Sequence, residues 1–138
     1  MKLEFHHINY VSKNIEELNM FYRDIMQMEA MSPKKFPRTT ATKKKGYDGK
    51  INFVTEGTMQ MHLAEQDLTI ATKHNQEINP VEKGHIAFRT DNIEEFKALL
   101  REKNIQFSDY GTTFAKEWYQ IFFHDPIGNV IEVHQLIG

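Results

Sequence analysis

The chain has 138 residues, of which 40% are hydrophobic and 26% charged, and its formal net charge is −2. These values are typical of a globular domain, and they give no electrostatic reason to expect nucleic acid or an anionic membrane as a partner. No apolar run approaches the ~20 residues of a membrane span, and the polar start does not resemble a secretory signal. Because cysteine is absent, disulfides, thiolate ligands and a cysteine nucleophile are excluded. We therefore expect a cytoplasmic protein.

The first predicted elements are a strand and a helix. Polar and apolar residues alternate over Phe5–Val11, which is the pattern of a strand with two different faces. Asn14 then has the character of a helix N-cap, and Glu17 follows at the spacing of a capping box. Apolar residues recur at helical spacing from Ile15 onward, so the strand is expected to lead directly into an amphipathic helix.

A basic stretch and a hairpin complete the first half. The stretch Ser32–Lys50 contains six lysines, one arginine and a single acid, Asp48. We interpret it either as a solvated, mobile loop or as an anion-attracting flap over a pocket. The segments KINFVTEG and TMQMHLAE follow, and Gly57 between them predicts a hairpin.

The second half repeats the first. When His7–Leu18 is aligned with His85–Phe96, six of the twelve positions are identical. The second helix is predicted to begin after Asn92 and to end near Asn104, a residue type that tolerates a left-handed conformation. A strand from Ile105 follows, and then EWYQIFFHD and NVIEVHQL flank the turn DPIG. Each half therefore reads as β-α-β-β-β.

These patterns divide the chain as one structural domain built from two modules. The first module covers residues 1–66 and the second covers residues 84–138. The linker, residues 67–83, is polar and is expected to hold a short strand or turn around Leu68–Ala71. The fold class is therefore α+β.

Each module carries a metal-ligand type of residue on its first and on its last strand. In the first module these residues are His7 and His62, and in the second they are His85 and Glu132. Three imidazoles and a carboxylate suit zinc, nickel, cobalt, iron(II) or manganese, with positions left for water or substrate. The repeat itself selects these four positions, which favours a shared site over four unrelated residues.

Other side chains should face the same cleft. Two of them, Asn9 and Arg89, follow His7 and His85 by two residues, so strand alternation puts them on the same face as these histidines. The others lie on the last two predicted strands. His6 is expected to alternate away from this face. The predicted pocket residues are Asn9, Arg89, Trp118, Gln120, Phe122 and His134.

Three segments resemble the vicinal oxygen chelate superfamily, which includes glyoxalase I, fosfomycin-resistance proteins, extradiol dioxygenases and bleomycin-binding proteins. HHINYVSKNIEELNMFYRD resembles its opening strand and helix, GHIAFRTDN its second opening, and FFHDPIGNVIEV its closing DPxGxxxE signature. The resemblance implies paired modules that form a cupped mixed sheet around a divalent metal, usually in a homodimer. The modules pair within a chain or exchange between subunits. The family's metal positions fall on His7, His62, His85 and Glu132.

The resemblance is strongest to glyoxalase-I-like proteins. It implies a lyase or isomerase that binds adjacent oxygens of a 2-oxoaldehyde or its thiol adduct and stabilises an enediolate, with Glu132 or a metal-bound water as catalytic base. His62 stands where bacterial glyoxalase I has a glutamate. A histidine at this position is similar to the glyoxalase-I-like group of plants. Gln27 replaces the glycine usual after the first helix. The alternatives are an iron(II) extradiol-type dioxygenase and a non-catalytic small-molecule binding or resistance protein.

Overall fold

The computed structural model describes residues 1–138 and contains one eight-stranded mixed sheet. The strands are β1 (Leu3–Ser12), β2 (Glu29–Ala30), β3 (Ile51–Thr55), β4 (Gln60–Glu65), β5 (Gly84–Thr90), β6 (Phe107–Gly111), β7 (Trp118–His124) and β8 (Val130–Leu136). The α-helices are α1 (Ile15–Met20), α2 (Ile70–Lys73) and α3 (Ile93–Glu102); a π-helical turn (Phe21–Ile25) extends α1, and a 3₁₀ turn covers Pro33–Lys35. None of these helices has the length and apolar character needed to cross a membrane.

The sheet confirms the predicted tandem β-α-β-β-β modules. Its strand order is β2-β3-β4-β1-β5-β8-β7-β6, so each module contributes four adjacent strands in the same outward order. Within each module the first and last strands pair in parallel. The antiparallel pair β1–β5 joins the two modules of this chain.

A glycine makes this central seam possible. Gly84 begins β5 with a φ of +104°, and a Cβ built there would lie 2.4 Å from the main-chain oxygen of Asn9 on β1. Any other residue would force the two strands apart or strain the backbone. The close approach of the modules thus depends on Gly84.

The predicted helix signals act as expected. The Asn14 side chain accepts a hydrogen bond from the Glu17 N–H at 3.1 Å, and Asn92 accepts from the Glu95 N–H at 3.0 Å. Asn104 takes the predicted left-handed conformation, with φ of 58°. Each cap starts a helix that packs on the convex face of the sheet: α1 against β3 and β4, and α3 against β7 and β8.

Loops and the short helix α2, rather than α1 and α3, cover the concave face. The largest apolar cluster combines sheet residues with side chains from the segments between strands. Among these, Phe36 and Tyr47 of the basic stretch are 7% and 4% exposed, whereas its lysines lie in solvent. The Tyr47 hydroxyl donates a hydrogen bond to the Glu65 carbonyl at the end of β4. Ser32–Lys50 is therefore solvated at its lysines, as one interpretation expected, but Phe36 and Tyr47 fix it over this face as a strap.

The segment between the modules contains the predicted turn, at Leu68 and Thr69. A short helix, α2, follows directly, which the sequence did not indicate. Asp67 Oδ1 accepts hydrogen bonds from the main-chain N–H and the hydroxyl of Thr69, which turns the chain into a helical conformation. Ile70 is then fully buried against the concave cluster. Local turn chemistry and one buried anchor explain the helix.

Candidate metal centre

Three of the predicted ligands meet on the concave face at the seam. His7 on β1 and Glu132 on β8 both lie opposite Ala87 on β5. The fully buried methyl group of Ala87 leaves room for the two longer side chains to converge above it. The ligand atoms of His7, His85 and Glu132 all lie within 4.8 Å of one another. Glu132 Oε1 is 3.1 Å from His85 Nε2 and 3.8 Å from His7 Nε2.

Hydrogen bonding around His85 shows that this group could hold a cation. His85 Nδ1 lies 3.0 Å from the carbonyl oxygen of Pro80, which can only accept, so Nδ1 carries the hydrogen. Neutral His85 therefore presents a lone pair at Nε2 to Glu132 Oε1, which is also an acceptor. Two acceptors 3.1 Å apart are stable only with a proton or a metal ion between them. The residues present thus fit a divalent ion bound by two imidazoles and a carboxylate.

The protonation of the group suits ligation, because ligand atoms must be free of protons. Burial, together with the neighbouring His62, lowers the pKa of His7 well below its usual value. Burial alone would raise the pKa of Glu132, but the neighbouring His7 and the hydrogen bond from His134 hold this pKa well below its usual range. At neutral pH the site therefore offers a carboxylate and an uncharged His7.

His62, the fourth predicted ligand, lies beside this group but not in it. Its ring stacks on His7 with ring centres 3.7 Å apart and planes inclined by 14°. His62 Nε2 is 2.8 Å from Gln60 Oε1, and burial lowers the pKa of His62 to about 3. In this arrangement the imidazole supports His7 and faces the same cavity.

A cavity of about 40 Å³ opens above the three converging side chains. Its roof is aromatic, with Phe36 and Tyr47 from the strap and Phe114 from the β6–β7 loop. The buried oxygens Asn9 Oδ1 and Gln120 Oε1 have no hydrogen-bond partner, so a bound molecule that donates hydrogen bonds would satisfy them. Among the predicted pocket residues, those that line the cavity are Asn9, Gln120 and Phe122.

The other predicted pocket residues lie on the far side of Glu132. Arg89, Trp118 and His134 contact one another there, and none of them lines the cavity. Strand alternation correctly places their side chains on the concave face, but it does not predict which residues on that face line the cavity. Whether a residue lines the cavity depends on its distance from the cavity along the strand.

The expectation that His6 turns away from the site was wrong. The β1–β5 register shifts between Phe5 and His7, and this bulge lets two consecutive residues face the same side. His6 Nδ1 lies 2.8 Å from His7 Nδ1, and the His6 ring meets Trp118 edge to face. Alternation assumes an unbroken strand, and no sequence signal marked the bulge.

A family model described as the Glyoxalase/Bleomycin resistance protein/Dioxygenase superfamily matches residues 4–133, and the chain belongs to this superfamily. A hypothetical protein, BH1468 from Bacillus halodurans C-125, superposes with a TM-score of 0.67 at 18% identity, covering 98% of this chain and 95% of that chain. Methylmalonyl-CoA epimerase from Mycobacterium tuberculosis gives 0.66 at 12% identity, covering 96% and 87%. A superfamily member from Vibrio splendidus 12B01 gives 0.56 at 12%, covering 97% of each chain. These structures share the fold, and no curated protein matches the sequence.

Proposed function

We propose that this protein is a divalent-metal-dependent enzyme of the glyoxalase I type, which acts on a 2-oxoaldehyde or its thiol adduct. The observation that carries the proposal is the buried convergence of His7, His85 and Glu132, with ligand atoms within 4.8 Å of one another, at the floor of a cavity. A divalent metal at this point would supply Lewis acidity to the adjacent oxygens of a small substrate and so stabilise negative charge that develops there.

The protein's own groups would bind and orient the substrate. Asn9 and Gln120 offer unpaired buried amide oxygens, which suit a hydroxyl group next to a carbonyl. The aromatic roof formed by Phe36 and Phe114 would exclude water from the reacting atoms. Glu132 Oε2 already accepts a hydrogen bond from His134, so Oε1 is the atom placed to hold metal or take a substrate proton. We assign Glu132 as the catalytic base.

The test is the isomerisation of methylglyoxal–thiol adducts by protein reloaded with zinc, nickel, cobalt, manganese or iron(II). We expect turnover with at least one of these metals and a loss of about 100-fold or more in Glu132→Gln, since a positioned base alone contributes about that factor. Glu102→Gln, at the exposed end of α3, is the matched control. Unchanged turnover in Glu132→Gln would overturn the assignment. Methylmalonyl-CoA epimerases are among the structural neighbours, so epimerisation belongs in the same assay series.

A second candidate is an iron(II) ring-cleaving dioxygenase. It is favoured by the composition of the group, because two histidines and one carboxylate are the ligands that non-haem iron(II) oxygenases use. Oxygen uptake with catechols by anaerobically iron-loaded protein would support this activity, and uptake at the rate of free iron(II) would exclude it. A protein that binds no metal at all would instead be a small-molecule binder.

We also propose that the protein is a homodimer. Several large apolar side chains of β1 and of the α1 region are exposed, including Phe5 at 47%, Phe21 at 48% and Ile25 at 66%. Exposed apolar side chains of this kind are typical of protein–protein contacts. Light scattering coupled to size-exclusion chromatography should give twice the 16.3 kDa chain mass; a single-chain mass at micromolar concentration would contradict the proposal.

A further inference from the structure

On the side away from the cavity, Glu132 contacts a hydrogen-bonded pair, Arg89 and His134, that does not line the cavity. Arg89 on β5 pairs in register with His134 on β8, two residues beyond the pairing of Ala87 with Glu132. Because strand side chains repeat on one face every second residue, Glu132 and His134 point to the same side. His134 is completely buried, so its two ring nitrogens must find partners within the protein.

These partners fix the position of the His134 proton. Arg89 Nε always carries a hydrogen and lies 3.0 Å from His134 Nε2, which must therefore accept. The ring hydrogen is then on Nδ1, which donates to Glu132 Oε2 at 2.6 Å. The His134 tautomer with hydrogen on Nδ1 satisfies both hydrogen bonds. In the other tautomer, the N–H of Nε2 and the N–H of Arg89 Nε would point at each other.

Packing prevents the ring from turning. The Trp118 indole stacks on His134 with ring centres 4.2 Å apart, and the Arg89 guanidinium lies 4.9 Å from the indole centre. The edge of the His6 ring meets His134 at 4.9 Å and 90°. Aromatic stacking and cation–π contact thus hold both members of the hydrogen-bonded chain.

We propose that Arg89 and His134 are positioning residues that occupy Oε2 of Glu132 and so present Oε1 alone to His7 and His85. The proposal rests on the proposed function only in that the presented oxygen serves a metal. The orientation of Glu132 itself follows from the hydrogen bonds. Partners of this kind set ligand geometry, and their loss typically weakens metal binding by about 10- to 100-fold.

Metal affinity provides the first test, measured by competition of metal-stripped protein with a chromophoric chelator for zinc(II). His134→Phe keeps a ring against Trp118 but removes the donor, and we expect affinity to fall by about 10- to 100-fold. His134→Asn restores an N–H near the place of Nδ1 and should recover most of the loss. The matched control is His124→Phe, at an exposed position on β7, which should bind as the wild type does. Equal affinity in His134→Phe and wild type would overturn the proposal.

The ¹⁵N resonances of the His134 imidazole, in protein without metal, provide the second test. We expect hydrogen on Nδ1 in the wild type and a mixture of tautomers in Arg89→Met, with Arg101→Met on the exposed face of α3 as the control. Hydrogen on Nε2 in the wild type would overturn the proposal. If the wild type binds no zinc(II) but shows the expected tautomer, the metal-dependent function fails while the positioning of Glu132 stands.

Discussion

Replacing Glu132 with glutamine should abolish most of the stabilisation that the proposed metal would give to this protein. The substitution keeps the shape of a side chain that is 1% exposed, and it removes the only charge in the proposed ligand set. Metal at about 100 times its Kd stabilises the folded state by ~2.7 kcal/mol. For 138 residues at ~2.1 cal/mol/K per residue, the entropy of unfolding is about 290 cal/mol/K, so this free energy corresponds to a rise in Tm of about 9 °C.

The same arithmetic gives the shift expected in the variant. Loss of an anionic ligand should weaken binding by at least ~100-fold, the upper end of the effect of an indirect partner. At the same metal concentration the variant then gains only ~0.4 kcal/mol, or about 1 °C. Differential scanning calorimetry of chelator-treated protein, with and without added metal, measures both shifts, and Glu102→Gln should keep the full rise. A full rise in Glu132→Gln would show that metal binds elsewhere.

Three further predictions concern stability. Gly84→Ala should lower the free energy of unfolding in urea by at least ~2 kcal/mol, because its Cβ would lie 2.4 Å from a main-chain oxygen. The control is Gly128→Ala, at a φ of +90° with no neighbour within 4 Å, which should cost only about 1 kcal/mol. Equal losses in the two variants would exclude the steric cause. Burial opposes the charge of Lys97, but hydrogen bonds to Tyr119, Glu94 and Asp109 raise its pKa above the reference value of 10.5. This stabilisation is complete below the unfolded pKa and is lost as pH rises through the folded pKa, so the wild type should lose more stability than Lys97→Met as pH rises above about 10.5; parallel pH curves would contradict this. Asn92→Ala should cost about 1 kcal/mol in urea unfolding through loss of the α3 cap, whereas an unchanged midpoint would mean that the cap is dispensable.

The sequence predicted the modules well because their signals are local. An alternating strand, an asparagine cap and a helical apolar stripe recur from His7 and again from His85, and each signal acts through neighbours only a few residues away. The repeat selected four side chains, and the ligand atoms of three of them, His7, His85 and Glu132, lie within 4.8 Å of one another. The modules pair at their first strands, which brings these three together, whereas His62 lies beside them.

The remaining features depend on contacts between distant segments. Phe36 and Tyr47 are buried because the strap packs on the concave face, which is formed by strands distant in sequence. The basic composition of the strap indicates solvent exposure and gives no sign of this packing. The bulge at His6 depends on pairing with β5. Likewise, the separation of Arg89 and His134 from the cavity depends on how far the loops extend over the sheet. None of these has a periodic signature along the chain.

The position of the candidate site on the β1–β5 seam affects how the protein folds. One ligand comes from the first module and two from the second, so neither half alone holds the set. A metal ion bound there would link His7 to His85 and Glu132, which lie 78 and 125 positions away along the chain. Such a link would close long loops as a cross-link does. The site is completed only when the modules dock, so a metal ion bound there would stabilise the docked modules over either module alone.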